Sequence, residues 1–148
     1  MAKIDSAGFE VLGEEDCYQL LASVNLGRVA VTVEDALPAI FPVTFALIDR
    51  QVIFSTATGT KLTAALTASV VAFEADWVDE AREEAWDVQV VGRSVLVEPG
   101  SDVGAAAKVA AHALAPVVRG FLVRISPVHI SGRRLPARKN RPAPGELP

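Results

Sequence analysis

The sequence is poor in cysteine and in long apolar runs. Its 148 residues include one cysteine, Cys17, which cannot form a disulfide within the chain. The most apolar stretch, residues 36–48, has thirteen residues and includes two prolines, whereas a membrane-spanning helix needs about 20 apolar residues. The amino terminus also lacks the basic, apolar and small-residue regions of a secretion signal. We therefore expect a soluble protein of the reducing cytoplasm with no membrane partner.

An excess of positive charge is absent as well. The formal net charge is −4, which argues against a protein whose main ligand is nucleic acid. The composition, 51% hydrophobic and 22% charged, suits one globular domain. We assign this domain to residues 1–135 and a proline-rich basic tail to residues 136–148. Basic side chains cluster only near this end: Arg133, Arg134, Arg138, Lys139 and Arg141.

Hydrophobic periodicity predicts a mainly β fold with small flanking helices. An amphipathic helix is expected from Glu14 to Val24 and ended by Gly27, and a short alanine-rich helix is expected after a cap at Ser101 or Asp102. The acidic segment 77–84 lacks the His or Cys spacing of a metal site, so it is interpreted as a solvated hairpin loop. Strands are predicted over residues 28–33, 40–48, 51–56, 69–76, 85–99 (with a bulge at Gly92) and 117–130. Six strands in this order indicate a closed or half-open antiparallel β-barrel.

The segment from Val52 to Leu66, VIFSTATGTKLTAAL, changes from strand residues to small hydroxyl-bearing residues and then to helix formers. Gly59 would let the backbone approach a ligand, and Lys61 would add positive charge in the first turn of the helix. This pattern suits an anion such as phosphate. It is also typical of an ordinary helix cap, and the phosphate-binding pattern GxxxxGK[ST] is absent.

Six short motifs along residues 14–135 favour the phosphate site over an ordinary helix cap, because together they carry a resemblance to a known family. They are LGRVAV (26–31), PVTFAL (42–47), IFSTATGTKLTAAL (53–66), VAFEAD (71–76), AWDVQVVGRS (85–94) and RISPVHISGRRL (124–135). In this order the chain resembles the flavin-binding split-barrel family, which includes pyridoxamine 5'-phosphate oxidase-like proteins and flavin or deazaflavin oxidoreductases. The resemblance implies a six-stranded antiparallel split β-barrel.

The resemblance further implies a homodimer with two FMN sites at the subunit interface and hydride transfer to a small-molecule substrate. In such proteins one strand runs along the flavin ring, the next segment holds the ribityl phosphate, and a later strand approaches the cofactor. The matching residues here are Pro42, Val43 and Thr44 for the ring; Phe54, Ser55, Thr56, Thr60, Lys61 and Leu62 for the phosphate; and Trp86 and Asp87 for the later strand. The redox chemistry belongs to the cofactor, so no catalytic residue is assigned.

Two residues depart from the family pattern. Ser55 stands where members with the same motif commonly have arginine, and Asp87 stands where a small neutral polar residue is usual. Three interpretations therefore remain: an FMN-dependent oxidoreductase, a deazaflavin-dependent reductase, and a non-catalytic dimer with a degenerate cofactor site. Arg133 and Arg134 would either approach the cofactor or pair with acids of the partner subunit, and we favour the second.

Overall fold

A computed structural model describes residues 2–57, 61–97, 102, 104, 105, 107, 109, 120–141, 143 and 145. The strands are β1 (Lys3–Ile4), β2 (Glu10–Val11), β3 (Leu26–Thr32), β4 (Pro38–Ile48), β5 (Gln51–Ala57), β6 (Ser69–Asp79), β7 (Glu84–Val97) and β8 (Gly120–Arg134). The helices are α1 (Glu14–Ala22) and α2 (Lys61–Ala65). In these ranges no helix is long and apolar enough to cross a membrane.

Six strands form a closed antiparallel barrel, which confirms the predicted fold class. Their order around the barrel is β8, β5, β4, β3, β6 and β7, and β7 pairs again with β8. The two short strands β1 and β2 form a hairpin attached to the end of β8. The three consecutive strands β3, β4 and β5 pair through short connections, as the sequence predicts.

The barrel splits because β4 changes its pairing along its length. Residues Phe45–Ile48 pair with β5, whereas residues Pro38–Thr44 pair with β3 on the other side. The β4–β5 ladder therefore stops at the pair Phe45 and Phe54. Beyond that pair the two strands diverge and leave polar residues at the opening.

The barrel interior is filled by inward-facing apolar residues, with large aromatic rings at its centre. Phe45, Phe54 and Phe73 are almost completely buried, and the rings of Phe45 and Phe73 meet edge to face at 4.8 Å. Helix α1 adds Cys17 and Leu21 to the same core. Burial, followed by the charge of the neighbouring Asp16, raises the pKa of the Cys17 thiol. Cys17 is thus a core residue.

A sharp turn and a bulge set the register of the barrel strands. Asp49 and Arg50 both have positive φ, at 51° and 61°, as a two-residue hairpin turn between strands requires. The β7–β8 register shifts between Val91 and Gly92, which confirms the predicted bulge. A Cβ atom at Gly92 would lie 2.2 Å from the Ser126 carbonyl oxygen, so the bulge depends on glycine.

Several predicted boundaries were wrong. Helix α1 ends at Ala22, and Gly27 lies inside β3, where a Cβ atom would meet the Phe73 ring at 2.3 Å. Half of segment 77–84 is strand, since β6 continues to Asp79, β7 begins at Glu84 and only residues 80–83 form the connection. Strand β8 continues to Arg134 rather than ending at Ile130. Residues 117–119 lie outside the described part, so its predicted start is not assessed.

The alanine-rich segment after residue 102 is helical at residues 104, 105, 107 and 109. The Ala105 amide donates to the Asp102 carboxylate at 2.9 Å, so Asp102 acts as the helix cap that the sequence suggested. Ala105 and Val109 pack with Ala46, Ile53 and Leu122 in a second, smaller apolar cluster. Ser101, the alternative cap, and His112 lie outside the described residues.

Candidate functional site

The opening between β4 and β5 brings together predicted residues from two motifs. We call Pro42–Thr44 and Ser55–Thr56 the fork, because these residues follow the last β4–β5 pair on each strand. Continuing the register places Thr44 opposite Ser55 and Val43 opposite Thr56. Thr44 and Ser55 are half-buried, and Thr56 is buried. The fork therefore offers two hydroxyl groups with some access to solvent, those of Thr44 and Ser55, whereas Thr56 is buried on the other side of β5.

Helix α2 begins within a few residues of the fork. It is held against the barrel by Leu62 and Ala65, which contact the core, and by Leu66, which is completely buried. The Ser94 hydroxyl donates to the Leu66 carbonyl oxygen at 2.7 Å and fixes the carboxyl end of this segment. The sequence analysis missed Ser94; its only signal was a hydroxyl residue at an inward-facing position of an apolar strand.

The predicted phosphate-binding residues have different positions in the structure. Lys61 is the first residue of α2, although its side chain lies outside the described part of the chain. Thr60 also lies outside it. Phe54 is a fully buried core residue and has no side-chain surface for a ligand. Leu62 packs on the core, and Pro42 is exposed at the edge of the fork.

The outer face of the barrel connects the fork with the second predicted group of residues. Thr44 pairs with Leu26 on β3, and Asp76 on β6 pairs with Asp87 on β7. Extending the β3–β6 register places Leu26 beside Asp76. Thr44 and Asp87 thus lie in one row across four strands. At about 4.8 Å per strand they are about 14 Å apart along the sheet, which is too far for contact but within the span of one extended ligand.

Trp86 faces away from this row. Successive side chains of a strand point to opposite faces, and Trp86 packs against the barrel core whereas Asp87 faces outwards. Within one chain, the structure therefore places Asp87 on the same face as Thr44 but does not place Trp86 there.

Charged side chains dominate the Asp87 end of this outer face. The Arg28 guanidinium donates to Asp76 at 3.0 Å and lies 3.5 Å from Glu74. The Arg133 guanidinium donates to Asp87 at 3.0 Å. Burial, followed by repulsion from Asp76, raises the pKa of Glu74, while Arg28 opposes this shift. The sequence analysis missed Arg28, Glu74 and Asp76, because only the strand register shows that they meet.

Arg133 and Arg134 both pair with acids of their own chain. Arg133 contacts Asp87 and also lies 3.9 Å from Asp5. Arg134 donates to Glu10 at 3.1–3.2 Å. The sequence analysis favoured acids of the partner subunit for both arginines, and in the single chain each is already paired with an acid of its own chain. His129 is exposed on β8.

Comparisons with known proteins agree with this architecture. The family model described as pyridoxamine 5'-phosphate oxidase matches residues 13–134. An uncharacterised protein of Mycobacterium tuberculosis, Rv0080, is 34% identical over 136 residues, which cover 88% of each chain. The structure of the FAD binding protein from Mycobacterium smegmatis is 40% identical, with a TM-score of 0.70 over 84% of this chain and 98% of that one. A Corynebacterium diphtheriae protein of unknown function is 29% identical, with a TM-score of 0.65 over 85% and 97% of the two chains.

Proposed function

Because this chain belongs to the pyridoxamine 5'-phosphate oxidase family, we propose that it binds a flavin at the fork and serves as a flavin-dependent oxidoreductase. The observation that carries this proposal is the divergence of β4 and β5 beside the start of α2. Hydroxyl groups on two strands and a lysine at the first position of a helix form a set of donors for a ribityl phosphate. When bound, the flavin supplies hydride transfer between a reductant and a small-molecule substrate.

The charges of the described residues support one orientation of the flavin. Glu74, Asp76 and Asp87 place three carboxylates at the far end of the outer face, where Arg28 and Arg133 partly neutralise them. A phosphate is disfavoured near those acids and favoured beside Lys61 at the start of α2. The phosphate therefore lies at the α2 end, and the ring lies along Pro42–Thr44 with the Thr44 hydroxyl as a donor to it.

FMN is the simplest cofactor for this site, and FAD is the second candidate. FAD is favoured by one observation: the Mycobacterium smegmatis relative, 40% identical to this chain, is named an FAD binding protein. The two share the flavin and its first phosphate, so both would use the same fork. A deazaflavin would need further cationic residues along the groove for its longer tail, and two cations of the outer face, Arg28 and Arg133, are already paired with acids.

We also propose that the site is completed by a second copy of the chain. The outer face carries an apolar row next to the charged ones, in which the exposed Ile40 and Val91 flank the half-buried Ala30 and Ala72 across four strands. Ile40 is 71% exposed in the single chain. Burying such a row against a second barrel would stabilise a homodimer and close the groove along which the flavin ring lies.

The test is a titration of the purified, flavin-free protein with FMN and, separately, with FAD, followed by flavin fluorescence. We expect saturation at one flavin per chain. Lys61→Ala should weaken binding about 10- to 100-fold, the range for hydrogen bonds to a charged group. Lys3→Ala is the matched control, since Lys3 is exposed on β1. An unchanged affinity in Lys61→Ala would show that the phosphate does not bind at the start of α2. If neither flavin binds, the remaining interpretations are a deazaflavin-dependent reductase and a non-catalytic dimer.

A further inference from the structure

A second candidate site lies at one end of the barrel, between the β6–β7 connection and the segment that follows β8. We call it the C-terminal cleft. Its volume is about 720 Å³, within the range of about 300–1,000 Å³ that is typical of small-molecule sites. Its lining includes Trp86 on β7 but not Asp87, which faces the outer side of the same strand. The cleft is therefore separate from the face that carries Thr44 and Asp87.

The lining of the cleft combines charged residues with apolar and aromatic ones. The apolar part includes Ile4 of β1, Leu20 of α1, Leu135 and Pro136. The half-buried Trp86 also lines the cleft. An indole ring in such a position favours a flat, apolar ligand, because aromatic groups stack well on one another.

The rim carries four arginines, of which two are firmly engaged. The Arg134 guanidinium donates to both carboxylate oxygens of Glu10 at 3.1 Å. The Arg141 side chain donates to the carbonyl oxygens of Pro136 at 3.0 Å and Glu83 at 2.7 Å. The Arg141 contacts join the segment after β8 to the β6–β7 connection, and the Arg134 contact joins β8 to β2.

The other two arginines are loosely held. Arg82 lies 3.7 Å from Asp79 and is 75% exposed, and Arg138 lies 3.8 Å from Glu83 and is 84% exposed. Glu83 is also in contact with Arg141, so its single carboxylate serves two cations. Contacts of this length at the surface contribute little energy. Both guanidinium groups can therefore turn towards an anionic group at the mouth of the cleft.

We propose that the C-terminal cleft binds a planar aromatic anion. The aromatic body would lie against Trp86 and the apolar walls, and its carboxylate, sulfonate or phosphate would be held by Arg82 and Arg138, whose forked geometry matches such groups. This site does not depend on the proposed flavin site, and binding of one ligand leaves the other site open.

The test uses 8-anilinonaphthalene-1-sulfonate as the probe, in full-length protein carrying Trp77→Phe. The chain has two tryptophans, so this change leaves Trp86 as the only tryptophan whose emission the probe can quench. We expect saturable binding at one probe per chain with strong quenching of Trp86. In the same background, the double variant Arg82→Gln/Arg138→Gln should weaken binding about tenfold. Arg93→Gln, an exposed arginine on the outer side of β7, should leave it unchanged.

Two results would overturn the proposal: equal affinity in the double arginine variant, or probe binding without quenching of Trp86. Both arginines are exposed, so the double variant keeps the fold, which circular dichroism would verify. A protein that binds the probe but no flavin would contradict the proposed function alone. A protein that binds flavin but shows either of these two results would contradict the cleft alone.

Discussion

Arg133 holds the Asp87 carboxylate on the outer face of the barrel, with 3.0 Å between the donor nitrogen and the acceptor oxygen. The two residues are direct partners across the β7–β8 ladder. The same guanidinium lies 3.9 Å from Asp5 and 5.1 Å from the centre of the Phe9 ring. The acid that departs from the family pattern is therefore balanced by a cation of its own chain. Its repulsion of an electron-rich ligand is correspondingly weakened.

Because of these extra contacts, Arg133 should contribute more than Asp87 to the free energy of unfolding. Arg133→Gln removes the partner of two carboxylates and a contact with an aromatic ring, so it should lower the free energy of unfolding by about 1–2 kcal/mol. Asp87→Asn removes one exposed ion pair and should cost about 1 kcal/mol or less. Urea denaturation measures both losses, with Arg93→Gln, an exposed arginine on β7, as the control. Equal losses in the two variants would show that Asp5 and Phe9 add nothing to the contact.

The bulge at Gly92 gives a second prediction. Gly92→Ala would place a methyl group 2.2 Å from the Ser126 carbonyl oxygen and 3.1 Å from the Ile125 side chain. Because the first of these is backbone, β7 and β8 must separate locally, and we expect a loss of about 2–4 kcal/mol in the free energy of unfolding.

Gly13→Ala is the matched control for this experiment. Gly13 precedes α1, has an ordinary negative φ of −74°, and has no atom within 4 Å of the position of an added Cβ. Its replacement should cost about 1 kcal/mol or less. Thermal unfolding followed by circular dichroism compares the two, and a Gly92→Ala protein as stable as Gly13→Ala would contradict the role assigned to the bulge.

The order of strands could be predicted because each carries its own local signal. Apolar runs rich in β-branched residues marked all six barrel strands, the Asp49–Arg50 turn marked a hairpin, and Gly92 marked a bulge. The errors came from contacts distant in sequence. Gly27 looked like the end of a helix, but it is needed inside β3 because the Phe73 ring packs over it. Segment 77–84 resembled a solvated loop because its strand residues extend beyond the barrel core, where apolar side chains are not required.

The candidate site could be predicted only in part, for the same reason. The fork residues follow one another closely along the chain, so a motif could identify them. The pairs formed by Arg28 with Asp76 and by Arg133 with Asp87 join residues 48 and 46 positions apart. Their contacts depend on the register of two strand pairs, β3–β6 and β7–β8, which no single segment encodes. Resemblance to the family named residues but could not show which cations already had partners.

A pH-dependent prediction concerns Glu74, whose pKa is raised mainly by burial and next by repulsion from Asp76. A raised pKa in the folded state means that the folded protein takes up this proton at a higher pH than the unfolded chain. The ionised form therefore costs stability above the raised pKa, and this cost disappears as the pH falls below the ordinary carboxyl value. Glu74→Gln should consequently be more stable than the wild type at pH near 7, by about 1 kcal/mol or less, and equal to it in acid.

Urea denaturation at several pH values tests this prediction, with Glu84→Gln, an exposed acid on β7, as the control. Arg28 keeps its 3.0 Å bond to Asp76 in the Glu74→Gln variant, so the change does not leave the guanidinium without a partner. A Glu74→Gln protein that is less stable than the wild type at neutral pH would show that attraction to Arg28 exceeds the cost of burial. In that case the Arg28, Glu74 and Asp76 cluster stabilises the barrel, and a ligand on the outer face would have to accommodate its charges rather than replace them.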